Sequence, residues 1–159
     1  MASQKRILDE QLCFSIYTAS REFTKFYRQA LEPFELTYPQ YLVLLVLWEE
    51  PKLLVKELGT HLALDSGTLT PMLKRMETMS LIKRTRSKAD ERKVYIEPTD
   101  KAIAMKDDVL TNVADCISKL SFTEEAYFQL LTGMKELTTK IQENNGGTKN
   151  EKIVRNNSY

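Results

Sequence analysis

Two thiols, a set of tyrosines and a run of lysine and arginine are the residues of this sequence whose chemistry reaches beyond packing. Cys13 and Cys116 are the only cysteines. A cysteine thiolate attacks peroxides and disulfides, and it oxidises in steps through a sulfenic acid to a disulfide. By residue type alone, however, Cys13 is more often an inert apolar filler, because free cysteine is among the most buried residues. Tyr17, Tyr27, Tyr38 and Tyr41 likewise read first as core aromatics with satisfied hydroxyls. The second chemistry is electrostatic. From Lys74 to Lys93, eight basic residues (Lys74, Arg75, Lys83, Arg84, Arg86, Lys88, Arg92, Lys93) stand against three acidic ones, a local charge of +5. Such a run is usually a solvated face, so the elements that carry it decide its meaning.

Composition narrows the classes. A chain of 159 residues is about one domain and buries a core without metal or disulfides. The net charge of +1 excludes a protein that coats nucleic acid or membrane through bulk charge, and it leaves −4 for everything outside the basic segment. One histidine and two cysteines cannot supply a four-ligand Cys/His zinc site, and no cofactor is expected. Cysteines this far apart do not form the framework of a small secreted domain. The N-terminus has no signal-peptide pattern, and the longest apolar run, Tyr41 to Trp48, is far shorter than the roughly 20 residues that span a bilayer. A cytoplasmic protein with reduced thiols and no membrane contact is expected. No phosphate-binding glycine loop, metal-ligand cluster or nucleophile triad is present, so the chain does not read as an enzyme. His61 reads as a surface or packing residue.

Apolar spacing predicts a first helix over about 7–31, broken by Pro33, and a second, apolar nearly all round, from Thr37 to Trp48. Glu49 to Leu53 is a connection. A short helix follows from Val55 to Leu62. Asp65 or Ser66 then caps a further helix, Gly67 to Met79, in which Pro71 predicts a kink or an uncertain start. The period changes over Ile82–Arg86 and Lys93–Glu97, which predict a hairpin around the polar turn Ser87 to Glu91. Thr99 or Asp100 caps a helix to about Leu120, and Thr123 opens a last one to Gln142. Residues 143–159 read as a disordered tail.

Two short helices joined by a tight turn and followed by a β-ribbon are the layout of a winged helix-turn-helix. The expected fold is mainly α with a small β-hairpin wing, the winged domain covering 37–99. In this layout Ser66, Thr68, Thr70, Pro71, Lys74 and Arg75 lie near the major groove. Arg84, Arg86, Lys88, Arg92 and Lys93 track phosphates or enter the minor groove. The helices of 7–36 and 100–142 are the material for a dimer that matches a pseudo-palindromic double-stranded operator.

The stretches LCFSIYTASREFTKFYRQALEPFELTYPQYLVLLVLWE, LDSGTLTPMLKRME and KRTRSKADERKVYIEPT resemble the MarR family of winged-helix regulators. Within it they resemble most the organic hydroperoxide resistance regulators. Asp90-x-Arg92 matches the family's wing motif; LCF and TYPQY match the peroxide-sensing branch and its staphylococcal-type relatives. The resemblance implies a homodimeric repressor that leaves its operator when an organic hydroperoxide oxidises Cys13, with Tyr27 and Tyr38 as the tyrosines that hydrogen-bond the thiol. Tyr17 ranks behind them. Two-cysteine members of the branch close a disulfide with a cysteine of the C-terminal helical region, and Cys116 stands in such a helix as resolver or as packing. Cys13 and Tyr27 are 14 residues apart on one expected helix, roughly 21 Å, so a contact between them has to cross the dimer. Release by a phenolic ligand, a global thiol-based regulator and a thiol peroxidase are the alternatives.

Overall fold

The computed structural model describes residues 7–90 and 92–145. A 3-10 turn, Ile7–Glu10, precedes helix α1 (Leu12–Leu31). Pro33 lies in a second such turn, and α2 (Tyr38–Glu49) starts where Gln40 Oε1 accepts from the Thr37 N–H at 2.9 Å. Strand β1 (Leu53–Leu54) leads into α3 (Val55–Leu62) and α4 (Ser66–Thr78), then into the antiparallel strands β2 (Ile82–Arg86) and β3 (Val94–Pro98). Helices α5 (Asp100–Ala104), α6 (Lys106–Ser118) and α7 (Glu124–Asn144) complete the chain. The sheet order is β1-β3-β2, with Leu53 opposite Ile96 and Arg84 opposite Ile96 from the other side. One core joins Leu31, Leu44, Leu58, Leu73, Ile96 and Val109, each essentially inaccessible. The fold is mostly helical with the β2–β3 hairpin, as the hydrophobic periodicity predicts, and β1 adds a third strand to it.

Four boundaries differ from the sequence expectation, each for a tertiary reason. The helix over 7–31 is interrupted at Gln11, which is extended (φ −90°, ψ 121°), where Ile7 and Leu8 are 82% and 51% exposed and gain no burial that would hold the extra turn among the described residues. The Glu49–Leu53 connection ends in β1, since Leu53 pairs with Ile96 more than forty residues away. The single helix over 100–120 is two helices. The Ala102 carbonyl, which a continuous helix would give to the Lys106 N–H, accepts from Trp48 Nε1 at 2.9 Å, and the chain bends at Met105. The last helix reaches Asn144, so the tail does not begin at 143; residues 146–159 lie outside the described part, as does Glu91. Helix α4 passes through Pro71 with its start set by the Asp65 cap, so its beginning is well defined.

Candidate functional site

The reading head is built from α3, its turn and α4. Ala63 adopts the left-handed conformation (φ 52°), and Gly59 lets the two helices close: a Cβ there would lie 2.8 Å from Leu64 O and 3.1 Å from Leu69 Cδ1. Asp65 caps α4 through Oδ1, which accepts from the Thr68 N–H at 3.0 Å, and Oδ2, which accepts from Thr68 Oγ1 at 2.9 Å. These bonds hold its carboxyl below the usual range. With Leu69, Leu73 and Met76 buried, the opposite side of α4 presents Ser66, Thr68, Pro71, Lys74 and Arg75 to solvent. Thr70 is half-buried, and its Oγ1 donates to Ser66 O at 2.7 Å.

In the wing, Arg86, Lys88, Arg92 and Lys93 are exposed. Asp90 is half-buried and shapes the tip, where its Oδ1 accepts from the Arg92 N–H at 3.1 Å and its carbonyl from the Lys93 N–H at 2.9 Å. Arg84 departs from the others. It is only 24% exposed, and its Nη1 lies 3.5 Å from Glu77 Oε2 of α4.

The thiol residues occupy two places. Cys13 is exposed and is the second residue of α1, in its first turn. Tyr27 and Tyr38 meet with ring centroids 4.9 Å apart, and Tyr41 stands 6.0 Å from Tyr27. Phe23 and Phe26 extend the cluster. Burial pushes the Tyr27 hydroxyl well above its ordinary range, reinforced by Tyr38 and Tyr41, and burial also raises Tyr38 and Tyr41. Tyr17 is exposed, and its hydroxyl accepts from Arg21 Nη1 at 2.8 Å. Cys116 is buried on α6, where its thiol donates to Phe26 O at 3.6 Å.

Cys13 and Tyr27 lie on the same unbroken α1, so roughly 21 Å of helix separates them within one chain. The same holds for Cys13 and Cys116, which sits against Phe26 at roughly 20 Å along that helix, whereas a disulfide needs Cα atoms within about 7 Å. Neither pair meets within one chain. Sequence reasoning missed Tyr41 as a cluster member and Glu77 as the partner of Arg84. For Tyr41 the signal was its place one turn after Tyr38; for Glu77 there was none. Among the described residues no group of three or more His, Cys, Asp or Glu could hold a metal ion, and no helix is long and apolar enough to cross a membrane.

A helix-turn-helix with an exposed polar and basic recognition face, followed by a basic hairpin, defines a winged helix-turn-helix protein. The family described as transcriptional regulator SarA/Rot matches residues 25–109. The organic hydroperoxide resistance transcriptional regulator of Bacillus subtilis is 44% identical over 138 residues, covering 87% of this chain and 94% of that one. The regulator TtmR of Methylorubrum extorquens is 58% identical over 99 residues, which are 62% of this chain and 51% of that relative's length. Among solved structures, reduced AbfR bound to DNA superposes with a TM-score of 0.77 at 38% identity, covering 90% of this chain and 98% of that one. The chain belongs to the SarA/Rot and MarR-type family of winged-helix transcriptional regulators.

Proposed function

We propose that the protein is a homodimeric, cytoplasmic repressor that reads double-stranded DNA with α4 and the β2–β3 wing and leaves its operator when an organic hydroperoxide oxidises Cys13. Ser66, Thr68, Thr70, Pro71, Lys74 and Arg75 face the major groove. Arg86, Lys88, Arg92 and Lys93 meet phosphates or the minor groove, and Asp90 holds Arg92 at the tip. The observation that carries the sensing half is the division of the thiol site: an exposed Cys13 at one end of α1 and the Tyr27–Tyr38 pair at the other. Two chains with antiparallel α1 helices bring each Cys13 to the partner's tyrosines, so sensor and dimer interface are one site.

The Cys13 thiolate takes the terminal oxygen of the hydroperoxide, the O–O bond breaks, sulfur is oxidised to a sulfenic acid and an alcohol leaves after protonation. The Cys116 thiolate of the other chain then attacks that sulfenic sulfur, forms the disulfide and releases the sulfenic oxygen as water. Because Cys116 is tied to the Phe26 carbonyl in the core, reaching Cys13 requires α6 to move. Movement of α6 is transmitted through α5 to the reading head and spoils the half-site spacing. The similar AbfR exists in a reduced DNA-bound form and in a disulfide form, which supports this reading.

Gel shifts on a duplex selected from random sequence by the reduced protein test it. Stoichiometric cumene hydroperoxide is expected to release wild-type protein and to leave Cys13→Ser bound. A non-reducing gel is expected to show a covalent dimer that Cys116→Ser cannot form. A Cys13→Ser protein that still dissociates overturns the reading, and release by an aromatic acid under reducing conditions favours a phenolic ligand instead.

A further inference from the structure

The wing is joined to the recognition helix by an ion pair that the charge count alone assigns to DNA. Arg84 stands on β2 opposite Ile96, on the same sheet face as Ile82, and both of those residues are buried. Its stem therefore runs along the core side of the strand rather than out over the wing. The guanidinium ends at Glu77, with Nη1 3.5 Å from Oε2, and its Nε is buried with no hydrogen-bond partner, alone in this among buried side-chain nitrogens and oxygens of the described residues. A guanidinium lodged this way is not free to reach a phosphate without leaving the pair.

Glu77 is unusual in its own right. It is an acid in the last turn of α4, where the helix dipole disfavours negative charge, beside a surface that is otherwise basic. Its charge opposes both the dipole and any approaching phosphate, so its presence needs a local compensation, and Arg84 supplies one.

The turn between the two residues is held from the other side as well. Ser80 takes the left-handed conformation (φ 57°), and Leu81 N–H donates to Met76 O at 2.9 Å, which turns the chain sharply from α4 into β2. Thr99 Oγ1 donates to Ser80 O at 2.6 Å, and Lys101 Nζ donates to Met79 O at 3.0 Å. The pair and these two bonds together set the angle between recognition helix and wing.

We infer that Glu77 and Arg84 are positioning residues for DNA recognition: their ion pair holds the wing at the angle to α4 at which both grooves are engaged, and Arg84 is not itself a phosphate contact. The inference rests on the DNA-reading function proposed above. It makes a prediction of unusual sign. Removing the negative charge of Glu77 from beside a DNA-binding surface weakens specific binding, whereas a mere neighbour of the phosphates would strengthen it when neutralised.

The test measures binding of Glu77→Gln, Arg84→Gln and the exchanged double variant E77R/R84E to the selected duplex and to a scrambled duplex of equal length, across a salt series. Each single variant is expected to bind the selected duplex roughly three- to tenfold more weakly, with a smaller change on the scrambled duplex, and the exchange is expected to recover part of the loss. The slope of log affinity against log salt is expected to be the same for Arg84→Gln as for wild type, because a lost phosphate contact would lower it by about 0.9. Tighter binding by Glu77→Gln, or that drop in slope for Arg84→Gln, overturns the inference while leaving DNA binding intact. Failure of wild-type protein to enrich any duplex overturns the DNA-reading function itself.

Discussion

Cys13 and Tyr27 carry the sensing proposal, and each is defined by its surroundings more than by its type. Cys13 is exposed at the first turn of α1, whereas Cys116 is packed into the core, and the sensing proposal accordingly makes Cys13 the first thiol to meet an oxidant. If the partner's Tyr27 orients the peroxide or the thiolate, Tyr27→Phe removes one hydrogen bond of about 1 kcal/mol and slows oxidation of Cys13 by about fivefold, read as the rate of sulfenate trapping by dimedone. An unchanged rate rules that role out. Tyr27 also makes an alkaline prediction. Burial raises its pKa above the ordinary 10.0, and Tyr38 and Tyr41 move the same way. A group whose pKa is higher folded than unfolded contributes stability that is complete below about pH 10 and is lost as the pH rises through the raised value. Ultraviolet titration of the folded protein is therefore expected to show a late-ionising class of tyrosines, which shrinks in Tyr27→Phe and disappears when the chain is unfolded in urea.

At the scale of elements, the tightest joint is the one between α3 and α4. Gly59 has no room for a side chain against the Leu64 carbonyl, so Gly59→Ala forces the two helices apart and is expected to cost about 1–3 kcal/mol, measured as a lower urea midpoint. A midpoint equal to wild type would show that the turn gives way freely. Helix α7 is the reverse case. None of its residues is buried, although Tyr127, Leu130, Met134, Leu137 and Ile141 recur at alternating spacings of three and four, a heptad seam that the described residues leave uncovered for most of its length. The order of elements from α2 to β3 was legible because helix and strand periods are local properties of the chain. The capping residues Thr37 and Thr123 were legible for the same reason, whereas the choice between Asp65 and Ser66 as cap of α4 was settled by the bonds Asp65 makes to Thr68. Strand β1 and the break at Met105 were not. Each depends on one partner far along the chain, Ile96 for Leu53 and Trp48 for Ala102, and no local pattern encodes that meeting.

For the whole molecule, most of the large apolar side chains left exposed, among them Leu12, Phe23, Leu120, Phe122, Phe128 and Met134, lie on α1, the α6–α7 connection and α7, with Ile7 and Leu8 in the turn before α1 and Ile103 on α5. A surface so apolar is the mark of an association face, and the dimer proposed for the sensor uses it. Ending the chain before Glu124 is expected to give a monomer in sedimentation and to lose tight binding to a two-half-site duplex, while the far-ultraviolet spectrum keeps the remaining helices. A truncated chain that still sediments as a dimer would place the interface elsewhere. The sequence by itself determined the helical class, the winged layout and the separation of a +5 reading head from a −4 remainder, because all of these are written in residue type and short spacing. Only the tertiary structure decided that Arg84 turns inward to Glu77, that Cys116 is anchored to Phe26, and that Cys116 therefore cannot meet Cys13 within one chain. Those outcomes depend on which way a strand faces and on how far a straight helix carries two residues apart, and both follow from packing the elements together.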